Sequence, residues 1–136
     1  MNYSTFKTEI TVRPDDIDMN NHVHYSKYLD YLLFGRYDQM KKDYGMSMED
    51  FIKEGYSWFA SSANINYKTA LKLSDTAIVK TQVKEIKPAQ VDVNFWIIRK
   101  EDEKVCCYGN VLYTMISLKS ERPVRIPEHI IKKYSV

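Results

Sequence analysis

Between Val12 and Tyr25 the chain reads VRPDDIDMNNHVHY, which gathers three carboxylates (Asp15, Asp16, Asp18), two amides (Asn20, Asn21) and two imidazoles (His22, His24). A carboxylate with an imidazole nearby is equipment for moving protons and activating water. A carboxylate can also attack a carbonyl carbon directly. The cluster leads into the longest helical pattern of the chain, and a helix start offers unpaired backbone N–H groups and the positive end of a dipole. A carbonyl oxygen lying there would meet donors already aimed at it, as acyl transfer requires once that oxygen becomes negative. Taken singly, Asp15, Asp16, Asp18, Asn20 and Asn21 are turn formers or helix caps, and His22 is a hydrogen-bonded structural histidine. The chemistry resides in their grouping ahead of a helix.

The elements that must hold this connector follow from hydrophobic period. Phe6 to Arg13 alternates, with Ile10 and Val12 on one face, as a strand does, and Pro14-Asp15-Asp16 stops it. From Tyr25 to about Tyr44 the period lengthens. Tyr25, Tyr28, Leu29, Leu32, Leu33, Tyr37 and Met40 recur at three and four, forming one wide stripe on a helix that Gly45 ends. A shorter helix is expected over Met48 to Lys53. Trp58 to Tyr67, Thr76 to Ile86, Val91 to Lys100 and Val105 to Leu118 are rich in Val, Ile, Thr and aromatics and read as strands with short connections. Sequential strands so joined make a mostly antiparallel sheet, which must cover the helix stripe. The class is α+β.

Length and composition set the outer limits. The 136 residues fit one domain over 1–136, with neither a repeat nor a linker. A net charge of +2 provides no broad field for a nucleic acid or an anionic membrane surface. The longest apolar runs are far shorter than the roughly 20 residues of a membrane span. The first ten residues lack a signal-peptide pattern, so a soluble cytoplasmic protein is expected. Cys106 and Cys107 are adjacent, which excludes a disulfide framework and makes no metal pair; they are read as packing residues.

Asp16-Ile17-Asp18-Met19-Asn20-Asn21-His22-Val23, followed by Tyr28 and Leu29, resembles the signature of hot-dog-fold thioesterases, the 4-hydroxybenzoyl-CoA thioesterase-like superfamily. Asp18-x-Asn20-x-His22-Val23 is similar to its acyl-CoA and acyl-ACP branch. A second block, Asn64-Ile65-Asn66-Tyr67-Lys68 and then Leu73-Ser74-Asp75, resembles the family's second strand and the turn after it. The resemblance implies an antiparallel sheet wrapped around one long central helix. It also implies hydrolysis of acyl groups carried on coenzyme A or acyl carrier protein, without metal or other cofactor. On that resemblance Asp18 is the catalytic base or nucleophile. Asn20 orients water or the carboxylate, His22 assists proton transfer or holds substrate, and the backbone N–H of Tyr25 polarises the thioester carbonyl. Many members have Asn-Asn after His-Val where this chain has His24-Tyr25; a tyrosine at the helix start is also known in the hydroxybenzoyl-CoA branch, so the change is compatible with hydrolysis and blurs the subfamily. The acidic residue and cysteine of the plant acyl-ACP enzymes have no counterpart in Lys68-Thr69-Ala70-Leu71.

Tyr28, Trp58 and Phe59 are the candidate acyl-pocket residues, with Ser61, Ser62 and Asn64 at its border, although a helix stripe and strand aromatics are also ordinary core. Hot-dog relatives pair sheet edges and build the site across the interface, so the resemblance implies a homodimer or a dimer of dimers. His22, His24 and Asp18 are too few for a metal site, with only His129 elsewhere. Hydratase or dehydratase chemistry is the second enzymatic reading, but its Gly-Asp-x-Asn-Pro motif is lacking. A non-catalytic acyl-thioester binding module is the third.

Overall fold

The computed structural model describes residues 3–136. The chain runs β1 (Thr5–Thr11), α1 (Lys27–Lys42), α2 (Met48–Lys53), β2 (Tyr56–Tyr67), β3 (Thr76–Ile86), β4 (Gln90–Arg99), β5 (Lys104–Ser117) and α3 (Glu128–Tyr134), with a single 3-10 turn at Pro14–Asp16. The five strands form one sheet in the order β1-β3-β4-β5-β2, and every neighbouring pair is antiparallel. The expected α+β architecture of one long helix on an antiparallel sheet is the observed one.

Alternation in the central strands selects the face that receives α1. Ala77, Val79, Thr81 and Val83 of β3, with Val91, Val93, Phe95 and Ile97 of β4, are buried, while the residues between them are half-exposed. On the helix the buried residues are Tyr28, Tyr31, Leu32, Gly35, Arg36, Gln39 and Met40. This differs from the stripe expected from hydrophobicity, because Tyr25, Leu29, Leu33 and Tyr37 are substantially exposed. The inward face admits polar groups since the sheet satisfies them. Gln39 Nε2 donates to the Val79 carbonyl oxygen at 3.0 Å and to Thr8 Oγ1 at 3.2 Å, and Gln39 Oε1 accepts from the Thr81 hydroxyl. Gly35 lets the helix approach β3, for a Cβ there would fall 2.5 Å from Val79 Cγ1.

Two apolar clusters result. One lies under the start of α1 and includes Val12, Val23, Tyr28, Leu71, Phe95 and Ile97. The other lies under its end and includes Met40, Tyr44, Phe51, Val93 and Met115, together with Ile130 and Tyr134 of α3. The seven-residue α3 was not expected from sequence; Tyr134 stacks on Tyr44 with ring centroids 4.3 Å apart. Cys106 and Cys107 are both buried, because a register shift between Ile97 and Ile98 of the partner strand turns the two thiols inward where a regular strand would oppose them. Burial pushes the Cys107 thiol up to about 12, so it packs as a neutral group.

The β2 strand occupies a sheet edge and is pressed against β5, where Gly109 faces Ile65. A Cβ on Gly109 would lie 1.7 Å from the Asn64 carbonyl oxygen, a backbone atom that cannot yield without breaking the strand pairing. Gly109→Ala is therefore expected to destabilise the fold by about 3 kcal/mol or more. Urea denaturation should show a lower midpoint than in the parent chain; an unchanged midpoint would refute this reading of the β2–β5 contact.

Candidate active site

The connector between β1 and α1 is held at both ends by buried valines. Val12 N donates to the Asp75 carbonyl at 2.9 Å, and Val23 N donates to the Leu71 carbonyl at 2.9 Å. Between them the chain doubles back, with Ile17 bridging Val23. Asn21 makes the reversal at φ 61°, a left-handed conformation that asparagine tolerates better than most residues. Its side-chain oxygen also accepts from Leu73 N at 3.0 Å, tying the reversal to the turn before β3.

Asp18 stands inside this reversal. Its Oδ1 accepts backbone N–H groups of Asn20 at 2.9 Å and His22 at 3.0 Å, while its own N–H donates to the His22 carbonyl at 2.8 Å. These bonds, the one from His22 foremost, hold the carboxyl below the ordinary aspartate range and keep it ionised. Among the described residues no group bonds Oδ2, which is left for an external partner. The side chains of Asn20 and His22 are exposed; both residues reach Asp18 through their amides.

Asp16 is the fixed point beneath. It is fully buried, and its Oδ2 accepts from the Tyr31 hydroxyl at 2.7 Å and from Arg13 Nε at 3.3 Å. Lys27 Nζ stands 3.9 Å from Oδ1, which has no hydrogen-bond partner. Burial raises the Asp16 pKa, but the Tyr31 hydroxyl, Arg13 and Lys27 outweigh it and the net shift is downward. The Asp16 carbonyl also accepts from His24 N at 2.9 Å. One residue thus ties the connector to the helix and fixes the backbone just ahead of Tyr25.

The α1 helix begins at Lys27, two residues later than the hydrophobic pattern suggested, with Ser26 already in helical geometry. Tyr25 precedes it as a turn residue that is 74% exposed, and its carbonyl accepts from the Tyr67 hydroxyl at 2.9 Å. The bonds of the connector use the N–H groups of His24 and Lys27 and leave that of Tyr25 outside them.

The expected pocket residues divide. Tyr28 is buried, its hydroxyl accepts from Leu71 N at 3.0 Å, and burial pushes its pKa up to about 12. It therefore braces the loop before β3. Trp58 is half-buried, packs edge-on against Phe51 and lines a cavity beside the second half of α1. Phe59 and Ser61 line a separate hollow toward Pro88 and Pro123, and the Ser61 hydroxyl bonds that of Thr114. Ser62 and Asn64 are exposed on the edge strand. Tyr67, at the end of β2, touches both Tyr25 and Tyr28. At about 3.3 Å per residue, Ser61 lies roughly 20 Å and Trp58 roughly 30 Å along β2 from Tyr67. A single chain therefore does not bring Trp58, Phe59 or Ser61 to the connector. Tyr67 and Asp16 were not singled out as site residues from sequence, though Tyr67 sits in the second family block and Asp16 heads the first. Among the described residues no three His, Cys, Asp or Glu side chains converge as metal ligands do.

Comparison with known proteins agrees with this fold. Residues 12–134 match the family model of the thioesterase-like superfamily. The long-chain acyl-CoA thioesterase FadM of Escherichia coli (strain K12) is 21% identical over 127 residues, covering 93% of this chain and 95% of FadM. The fold is similar to that of a DHNA-CoA thioesterase from Staphylococcus aureus, with TM-score 0.83 and 23% identity over 89% of this chain and 80% of that one. It is also similar to the S. aureus protein SAV2348, solved in complex with CoA, with TM-score 0.86 and 20% identity over 98% of this chain and 83% of that one.

The buried carboxylate yields a test. Tyr31→Phe removes the closest donor to Asp16 and should cost about 1–3 kcal/mol at neutral pH. Asp16 is depressed in the fold, so its contribution is present above the unfolded-state aspartate pKa and fades as pH falls through the folded one. The Tm difference between parent and Tyr31→Phe is expected to shrink at acid pH. A difference independent of pH would show that Asp16 does not depend on the hydroxyl.

Proposed function

The chain belongs to the thioesterase-like superfamily, and on that premise we propose that it cleaves acyl-CoA or acyl-ACP thioesters to a free acid and a thiol. The observation that carries this reading is the ionised Asp18 carboxylate, clamped through one oxygen by two backbone amides and open through the other, in the reversal that leads into α1. A thioester carbonyl set against the Tyr25 N–H would have its oxygen at the positive end of the helix and its carbon toward Asp18. In the general-base route, Asp18 takes a proton from water as the water oxygen bonds to the carbonyl carbon. The oxyanion forms against the helix-start amide. It collapses with loss of the C–S bond, and the proton passes from Asp18 to the departing thiolate. In the nucleophilic route, Asp18 itself bonds to the carbon, the thiolate leaves, and water then hydrolyses the anhydride. Either route needs Asp18 ionised. His22, exposed four residues after Asp18 in the same reversal, assists proton transfer or holds the substrate, and Asn20 orients the water.

The site is completed by a second copy of the chain. Leu29, Leu33 and Tyr37, spaced by four on α1, form an exposed apolar stripe, and β2 offers a twelve-residue edge with most side chains exposed. Antiparallel pairing of β2 with its counterpart covers both surfaces. It also carries the Trp58 end of one β2 to the Tyr67 end of the other, beside Asp18 and Tyr25. The separation of Trp58, Phe59 and Ser61 from the connector within one chain supports this arrangement. The assembly is a homodimer or a dimer of dimers. The cytoplasm, where thiols stay reduced, suits its free buried cysteines.

Release of free thiol from a panel of acyl-CoAs tests the reaction. Asp18→Asn is expected to lower turnover by a factor of about a hundred or more with the fold retained, and His22→Ala to lower it less. Near-normal turnover by Asp18→Asn would remove the carboxylate from the mechanism. Light scattering of the parent chain should give a mass of twice 16.1 kDa or a higher even multiple; an active monomer would contradict the shared site.

A further inference from the structure

Arg36 is the one cation on the inward face of α1, and it is only 6% exposed. Buried guanidinium groups are ordinarily met by a carboxylate or a set of hydrogen bonds, because an unpaired buried charge is costly. Among the described residues no carboxylate lies within 4 Å of it; its recorded hydrogen bond is a long one, from Nη1 to Thr81 Oγ1 at 3.5 Å. Its other neighbours are tyrosines, with the Tyr44 ring centroid at 5.5 Å and the Tyr113 centroid at 6.0 Å from the guanidinium carbon, and the Tyr113 hydroxyl is within its reach as an acceptor. A guanidinium carries five N–H groups in a planar fork suited to a carboxylate. Most of that capacity is unused.

The fork stands in the wall of a cavity of about 130 Å³, lined by Leu33, Met40, Trp58, Ala60 and Tyr113. Cavities of that size hold a group about as large as benzene. The lining is apolar apart from Arg36 and the phenol oxygens, so the cavity suits an alkyl or aryl segment and the cation suits an acidic end. Trp58 and Ala60 belong to the half of β2 that antiparallel edge pairing sets beside the partner's connector. An acyl group bound at one copy's Asp18 would then extend toward the other copy's Arg36.

From these contacts we infer that Arg36 is a specificity-determining residue that receives a carboxylate at the far end of the acyl group. The preferred substrates are monothioesters of dicarboxylic acids, with the thioester at the connector and the free acid at the guanidinium. This inference rests on the hydrolase reading above and narrows it to a substrate class.

The test compares CoA monothioesters of straight-chain dicarboxylic acids with CoA thioesters of monocarboxylic acids of the same carbon number, across a series of lengths. The parent protein is expected to favour the carboxy-terminated member in kcat/KM by about tenfold or more at the matching length, the scale of one charge-assisted hydrogen bond in a dry site. Arg36→Gln, verified as folded by circular dichroism, should reverse or abolish that ratio. A parent with no preference at any length overturns the inference, as does a preference that survives Arg36→Gln. Calorimetric titration of the parent with the free diacids and monoacids supplies a readout that needs neither turnover nor the variant. If no thioester is hydrolysed the hydrolase reading fails. Tighter binding of diacids would then still support the Arg36 subsite, and equal or absent binding would reject it.

Discussion

A buried carboxylate governs the geometry of the site. Asp16 is bound by Tyr31 from the first turns of α1 and by Arg13 from the end of β1, so the polar connector cannot shift without exposing an ion inside the protein. Its main chain then fixes His24, and two residues after Asp16 the reversal around Asp18 closes on its own amides. The result is a loop rich in polar groups that is nevertheless rigid. A carboxylate needed at one spot relative to a helix end gains from such preorganisation, since no reorganisation is then required as charge develops on the substrate.

The helix divides its labour along its length. Its first turns serve the connector through Tyr28 and Tyr31, and its second half walls the cavity through Leu33, Arg36 and Met40. Gly35 marks the passage between them, where α1 lies nearly on β3. That close approach, together with the hydrogen bonds of Gln39 to the sheet, fixes the rotation of the helix about its axis. Rotation in turn decides which residues face outward. Leu29, Leu33 and Tyr37 are left on the surface by this geometry.

Much of this was legible in the sequence. Strong period-two and period-3.6 patterns located β3 and α2 to the residue and the other long elements to within two. The cluster from Asp16 to Tyr25 was recognisable because so many functional groups crowd one short connector. Other features were hidden for physical reasons. Arg36 and Gln39 face inward although hydrophobicity assigns them to water, because Thr8, Thr81, the Val79 carbonyl and two aromatic rings meet them. Apart from Tyr44, that provision comes from residues more than 30 positions away and leaves no local pattern. The α3 helix has no glycine stop after it, as Gly55 follows α2, and is held by the contact of Tyr134 with Tyr44. The contacts of Asn20 and His22 with Asp18 run through their backbone amides, which side-chain identity does not report. The distance between Trp58 and the connector is a property of strand length and direction, visible once the order β1-β3-β4-β5-β2 is known.

The proposed mechanism places a thioester carbonyl between the open oxygen of Asp18 and the amide that precedes α1. Vibrational difference spectroscopy of an acyl-CoA carrying a 13C-labelled carbonyl, bound to the unreactive Asp18→Asn protein, examines that carbonyl directly. The stretch should move to lower frequency than in water, as a C=O bond does when strong donors and a helix dipole draw charge onto its oxygen. A carbonyl band at its aqueous position, with the acyl-CoA demonstrably bound, would contradict the account.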